Sequence, residues 1–306
     1  MTAVTDPVLA PARRPRGPRP SRGYRVFQVV NGVVLTGVVL ITLLPFVNIL
    51  ARSFSQETYI RTGQVSLWPK GFNLTTYNVV TSDPVFWNNY RNTVVYTVAA
   101  TAISMVLTTC YAYVLSKKNL KGRGVLVGVA VFTMFFNGGL IPNYVLVSGI
   151  GLRNTLWAIV LPNAISVFNL LVMKAFFESL PLELEEAAAV DGLGTYRILL
   201  RIVLPLSKAV IATMILFYAV MFWNSWFGAF LYLDHSDLFP VTVYLRNLIA
   251  GSTGGGNEMT PSETALQIGA NIQAVTIVLT VLPIMVVYPF IQRYFVSGVM
   301  LGAVKG

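Results

Sequence analysis

The chain has 306 residues, of which 55% are hydrophobic and only 11% charged, with a formal net charge of +10. A soluble domain carries about a quarter charged residues, so this composition excludes an ordinary water-soluble enzyme and places the chain in a bilayer as one bundle of apolar helices. A single Cys110 and a single His235 exclude an intrachain disulfide, a redox motif and a Cys/His metal site.

Residues 1–25 form a basic tail whose PARRPRGPRP stretch is rich in Pro and Arg. It is expected to be disordered against the anionic inner leaflet. A nucleic-acid arm is the alternative, set aside because a juxtamembrane arginine cluster already has membrane lipid as its partner. The rest, 26–306, reads as an all-α polytopic membrane protein with six transmembrane helices. A crossing needs roughly 20 apolar residues. The stretches that qualify are 27–50, 92–115, 125–147, 155–177, 210–233 and 271–295. The first is far longer than the h-region of a cleavable signal, about 7–15 residues, and no small-residue cleavage site follows it.

The basic residues set the orientation. With the N-terminus inside, the inner segments hold Arg13, Arg14, Arg16, Arg19, Arg22 and Arg25, then Lys117, Lys118, Lys121 and Arg123. Lys174, Arg197, Arg201 and Lys208 follow, and Arg293 and Lys305 close the chain. The outer side keeps only Arg52, Arg61, Lys70, Arg91, Arg153 and Arg246. Both termini are therefore expected in the cytoplasm, as is the polar loop 178–208. The long outer loops are 51–91, with Trp68 and Trp87, and 234–270. The second contains GSTGGGNEMTPSE, which is flexible by composition and lacks the Lys-Ser/Thr of a phosphate cradle.

Polar side chains within lipid are costly and tend to face the bundle interior or a watery cavity. Asn137, Asn163, Asn169 and Asn224 are the candidates. Asn137 opens Asn-Gly-Gly-Leu-Ile-Pro-Asn, where Gly138, Gly139 and Pro142 interrupt the third span about 20 Å along from Val125. Such a break either lines a cavity where backbone groups meet sugar hydroxyls, or is a structural bend. Trp223, Asn224 and Trp226 lie at similar depth. They offer aromatic faces and an amide for a sugar ring, or belong to the interfacial aromatic belt. Thr93, Thr97, Thr101, Ser104 and Thr108 read as a helix-packing stripe with a lesser claim on the pathway. Asp234, His235 and Asp237 read as a solvated outer helix end and not as an acid–base site.

In the inner loop, EAAAVDGLGTYRILLRIVLP runs from Glu186 to Pro205. Pro181 suits the first turn of a helix, Glu183, Glu185 and Glu186 lie near its positive end, and Ala187 to Ala189 keep one face thin. Gly192 is placed to end that helix in a left-handed cap. Thr195 then caps a second helix, which Leu204-Pro205 stops at the fifth span. Glu186, Ala187, Ala188, Gly192, Ile202, Leu204 and Pro205 together resemble the EAA signature of ABC importer permeases, with no departure from its pattern. The resemblance implies a type I-like six-helix importer fold and a loop that docks into an ATPase subunit. It further implies an ABC ATPase dimer carrying ATP and Mg, a second homologous permease subunit, and an extracytoplasmic binding protein. The chain contains no GxxxxGK[ST], so no cofactor or catalytic residue is expected on it.

The likeness extends from about Tyr24 to the last residue. LWPKGFNLTTYNVV (67–80) resembles the outer loop of carbohydrate importers of the maltose-permease class. Residues 136–162 resemble the lipoprotein-type and polygalacturonide-type sugar permeases, and QRYFVSGVMLGAVKG (292–306) the end of the second permease of a sugar importer pair. A carbohydrate is thus the implied cargo. An ABC permease for oligopeptides or ions is the alternative within the family. An ion-coupled secondary transporter would show inverted repeats and buried ionisable residues, and neither is evident. A membrane enzyme would need a nucleophile, metal or carboxylate pair inside the spans. A scaffold without transport activity would leave the EAA-like spacing unexplained.

Overall fold

The structure, a computed structural model, describes residues 21–252 and 270–303. Every regular element among them is helical. The basic tail up to residue 20, the GSTGGGNEMTPSE segment from 253 onward and residues 304–306 lie outside the described residues.

Helix α1 (Arg22–Ser53) is apolar around its whole circumference. At 1.5 Å per residue its 32 residues span about 48 Å, more than the ~30 Å hydrocarbon core. Its first 27 residues form a compact unit of their own, and the second unit starts at Ile49.

In that second unit, short helices α2 (Glu57–Arg61) and α3 (Thr75–Ser82) lead into α4 (Pro84–Ser116). α4 begins eight residues before the expected second span. Asp83 caps it, its carboxylate accepting from the Val85 N–H at 2.9 Å, while Pro84 fills the first turn, where no N–H is needed.

The third span is two helices, α5 (Arg123–Phe135) and α6 (Leu140–Gly149), bent by 112°. The break falls at 136–139, as the glycines predict, and Gly139 adopts φ +91°, which a side chain would strain. Two spans expected to be continuous are broken. In the fourth, α7 (Trp157–Val160) and a 3₁₀ turn (Leu161–Asn163) meet α8 (Val167–Glu178) at 54°. Pro162 withdraws an N–H donor there, and the Ser166 hydroxyl caps the new helix by accepting from the Asn169 N–H. In the fifth, the regular helix stops at Trp223. The Asn224 side chain folds back to donate to the Val220 carbonyl at 2.8 Å, competing with continuation of the helical ladder.

The inner loop contains α9 (Leu182–Val190), α10 (Thr195–Ile198), a π turn (Leu199–Val203) and α11 (Leu204–Leu206). It feeds α12 (Lys208–Trp223), followed by α13 (Phe227–Tyr232), α14 (Val241–Ser252) and α15 (Ala270–Ala303). α1, α4 and the bent pairs make up to five candidate spans by length and composition, and 34-residue α15 carries a further apolar stretch.

α4 is the packing axis, in contact with α8 and α12, while α12 also packs on α15. The predicted stripe Thr93, Thr97, Thr101, Ser104 and Thr108 is buried along it. Small side chains there let neighbouring helices approach closely. At the centre the fully buried Tyr218 hydroxyl accepts from the Ser166 N–H at 2.9 Å and shares a 2.6 Å hydrogen bond with the Thr108 hydroxyl. One phenol thus joins α4, α12 and the break before α8. Tyr218→Phe leaves both partners unpaired and is expected to cost about 1–3 kcal/mol. A thermal melt of the detergent-solubilised protein, with Phe217→Leu on the same helix for comparison, checks this.

Candidate functional site

The inner loop is built from local rules. Pro181 occupies the N-cap position of α9, one residue before the first-turn place expected, and Glu183 and Glu185 follow in the first turn, where the helix dipole favours negative charge. The helix ends in a Schellman motif. The Leu193 N–H donates to the Ala188 carbonyl and the Gly192 N–H to the Ala189 carbonyl, both at 3.0 Å, with Gly192 at φ +80°. No heavy atom lies within 4 Å of where a Cβ on Gly192 would stand, so only the backbone angle demands glycine there. α10 starts at Thr195, but the N-cap is Gly194, in place of the expected Thr195.

The second helix does not stop at Leu204-Pro205. It continues to Leu206 through the π turn, in which the Leu204 N–H donates to the Leu199 carbonyl. Proline supplies no N–H and its ring would press on the carbonyl four residues back, and widening the turn relieves both effects. An 87° bend at Ser207 then sets this helix across α12.

The matched positions divide by exposure. Ala188 is buried, Ile202 and Leu204 are partly buried in the inner core cluster with Ile198, Leu199 and Val203, and Glu186, Ala187, Gly192 and Pro205 are exposed. Around the exposed ones stand Leu182, Val190, Tyr196 and Leu200, all more than half exposed, with Val190 at 88% and Tyr196 at 81%. A loop held from behind by buried residues thus presents a convex apolar surface flanked by Glu183 and Glu186.

Two acidic residues of this region turn back towards the chain. Glu185 accepts from Lys117 Nζ and, at 3.1 Å, from the Tyr113 hydroxyl. Glu178 pairs with Arg123 and, at 2.9 Å, with Lys174, and Arg123 Nε also caps the Leu115 carbonyl at 2.7 Å. These pairs were not anticipated; basic residues facing acidic ones across two inner loops was the available signal.

The outer candidates fall at separate breaks. Asn137 is exposed, and its Oδ1 accepts from the Gly139 N–H at 3.0 Å and from Asn143 Nδ2 at 3.2 Å, bridging the α5–α6 gap across Gly138. Asn163 is exposed at the end of the 3₁₀ turn, and Asn169 is buried in the first turn of α8. Trp223 is buried, its indole N–H donating to the Thr280 carbonyl at 3.1 Å and its ring edge-on to Tyr90, so it packs α12 against α15 and α4. Asn224 and Trp226 are exposed, and the Arg246 guanidinium lies 5.6 Å from the Trp226 ring centre and 3.9 Å from that of Phe230.

Beyond the packing stripe, the N-terminal half of α4 cradles an irregular return through residues that sequence reasoning missed. Asn88 and Asn92 donate to the Asp237 carbonyl at 2.7 and 2.6 Å, Tyr96 to the Leu238 carbonyl at 2.8 Å, and the Thr93 hydroxyl accepts from the Val241 N–H at 2.8 Å. The spacing 88, 92, 96 puts three side-chain donors on one helical stripe, a signal visible in the sequence. Asp237 contributes through its carbonyl. Asp234 accepts from Arg153 at 2.8 Å and from Asn154 at 2.9 Å, stapling the α6–α7 turn to the end of α13.

A model of the family described as "Binding-protein-dependent transport system inner membrane component" matches residues 118–300, which include the whole inner loop. The chain belongs to this family. Protein LplC of Bacillus subtilis (strain 168) is 42% identical over 286 residues, covering 94% of this chain and 97% of the relative. The polygalacturonan/rhamnogalacturonan transport system permease protein YtcP of the same organism is 39% identical over 290 residues, covering 92% and 99%. A crystal structure of a bacterial ABC transporter involved in the import of the acidic polysaccharide alginate contains a chain that matches with a TM-score of 0.83 at 33% identity, covering 91% of this chain and 99% of that one. The protein is thus a multi-pass inner-membrane transport component with the ABC importer permease fold, a transport subunit and not an enzyme.

The Asp234 staple gives a pH prediction. Its carboxylate is held below its ordinary pKa, first by the Asn154 hydrogen bond and then by Arg153. A depressed folded pKa contributes stability that is present above the unfolded value of about 4 and lost as pH falls through the folded value. Asp234→Asn should therefore melt below wild type at neutral pH, and the gap should close only in acid below that range, as read by melting curves across pH.

Proposed function

We propose that this chain is one permease subunit of an ATP-driven carbohydrate importer, crossing the membrane six times with both termini in the cytoplasm. It lines half of the pathway beside a second homologous permease. ATP and Mg bind a separate ATPase pair, into which the exposed knob of α9–α11 docks. A saccharide arrives on an extracytoplasmic binding protein, ATP-driven closure inside opens the pathway outward, and hydrolysis resets it. The observation that carries this reading is the knob itself. Glu186, Ala187, Gly192 and Pro205 stand exposed at signature spacing, Gly192 has the left-handed angle the motif needs, and apolar side chains surround them. The relatives support a carbohydrate cargo. Among carbohydrates, acidic saccharides are favoured, since polygalacturonan and alginate appear in the descriptions of the similar proteins. The Arg246 guanidinium beside the exposed Trp226 suits a uronate carboxylate and its ring.

The test is gentle purification of the tagged chain with mass spectrometry of what stays bound, followed by ATPase assays with binding protein and either oligogalacturonate or a neutral oligosaccharide. An ATP-binding subunit and a second permease are expected, with stimulation by the acidic sugar. A stable preparation without ATPase, under conditions that preserve a known importer, overturns the reading. For the knob, forcing a β-branched residue to φ +80° costs about 1–2 kcal/mol or more. Gly192→Val should lower the docked population roughly 5- to 30-fold and reduce uptake with insertion intact, while Gly192→Asn, which tolerates the left-handed region, should lie near wild type.

A further inference from the structure

The knob is joined covalently to the bundle at two places, the short Ser179–Pro181 link after α8 and the Ser207 bend before α12. A body held at two points can still turn about the line between them. Its apolar back face packs into the core cluster with Ala112, Tyr113 and Leu115 of α4, through contacts that are non-directional. A third attachment exists. Glu185, on the first turns of α9, is bonded to Lys117 and to the Tyr113 hydroxyl, both at the inner end of α4, and Lys117 also lies 4.0 Å over the Tyr113 ring. The Glu185 and Lys117 side chains are 17% and 31% exposed, so the pair is shielded from water without being sealed from it. Neighbouring Glu183 and Glu186 are exposed, so adjacent carboxylates have opposite assignments.

We infer that the Lys117–Glu185–Tyr113 cluster is a latch that makes the knob and the inner end of α4 one rigid lever, so that force from the ATPase reaches α4 directly and not only through α8 and α12. α4 is the packing axis of the bundle, with α8 and α12 against it, so a lever on α4 moves both at once. Lys117, Glu185 and Tyr113 are positioning residues: they touch neither nucleotide nor cargo. Arg123, which bonds both Glu178 and the Leu115 carbonyl, braces the same turn from its other end. The inference rests on the importer reading, since it needs an ATPase to push.

The experiment uses the intact purified complex with ATP and vanadate as the probe, and needs no sugar. Amide hydrogen exchange is followed in residues 109–116 of α4 and 182–190 of α9, with and without trapping. In wild type, trapping should change exchange in both segments. In Glu185→Gln and Lys117→Met the α9 response should persist, because docking is intact, while the α4 response falls by at least about half. The reversal Lys117→Glu with Glu185→Lys should restore it, which a merely structural loss would not. Unchanged exchange in the untrapped state and an unaltered melting temperature establish that the variants fold. An α4 response in the single variants equal to wild type, or no recovery in the reversal, overturns the latch. Silence of both segments in wild type overturns the importer reading, and the latch with it.

Discussion

Lipid offers no hydrogen bonds, so each place where a membrane helix breaks must find partners for its freed backbone groups inside the protein. This chain breaks its helices repeatedly, and several of its polar side chains meet that requirement. Asn137 bridges the α5–α6 gap, Tyr218 takes up the Ser166 N–H, and Asn88, Asn92, Thr93 and Tyr96 satisfy the loop from Asp237 to Val241. Asn137, which first reads as a pathway candidate, is one of the means by which a broken backbone is tolerated. Asn224 and Trp226 are exposed, with the Arg246 guanidinium beside the Trp226 ring.

The two ends of the bundle solve opposite problems. At the outer end the need is irregular backbone, held in place by neutral amides, hydroxyls and the Asp234–Arg153–Asn154 staple. At the inner end the need is a stiff projection. Its means are a hydrogen-bonded helix end at Gly192, a π turn that carries the second helix past Pro205, and ion pairs from Lys117 and Arg123. The charges gather at the ends of the helices, and the stretches between stay apolar.

Much of the plan was legible from residues alone. Apolar run lengths mark α1, α4 and the bent pairs as candidate crossings, and glycines placed the third-span break within 136–139. The left-handed turn at Gly192 follows from helix-ending rules, because a Schellman cap involves only residues five apart. The breaks in the fourth and fifth spans were missed. There an apolar window continues across Pro162 and Asn224 although the backbone turns, since hydropathy measures affinity for lipid and is blind to direction. Trp223 shows the same limit: its spacing fits a sugar platform or an interfacial belt, yet the Thr280 carbonyl and Tyr90 enclose it.

The sequence by itself determined that this chain lives in a membrane and that its loop 178–208 resembles the EAA signature in spacing. It also determined where a glycine must turn that loop, since all three rest on composition or on contacts between near neighbours. Only the tertiary structure decided which carboxylate faces which way. Glu185 and Glu186 are adjacent and chemically alike, but one meets Lys117, 68 residues earlier, and the other meets solvent. Likewise Tyr218 became the junction of three elements through partners 52 and 110 residues away. Such pairings depend on how separate helices are brought together, and no local spacing encodes them.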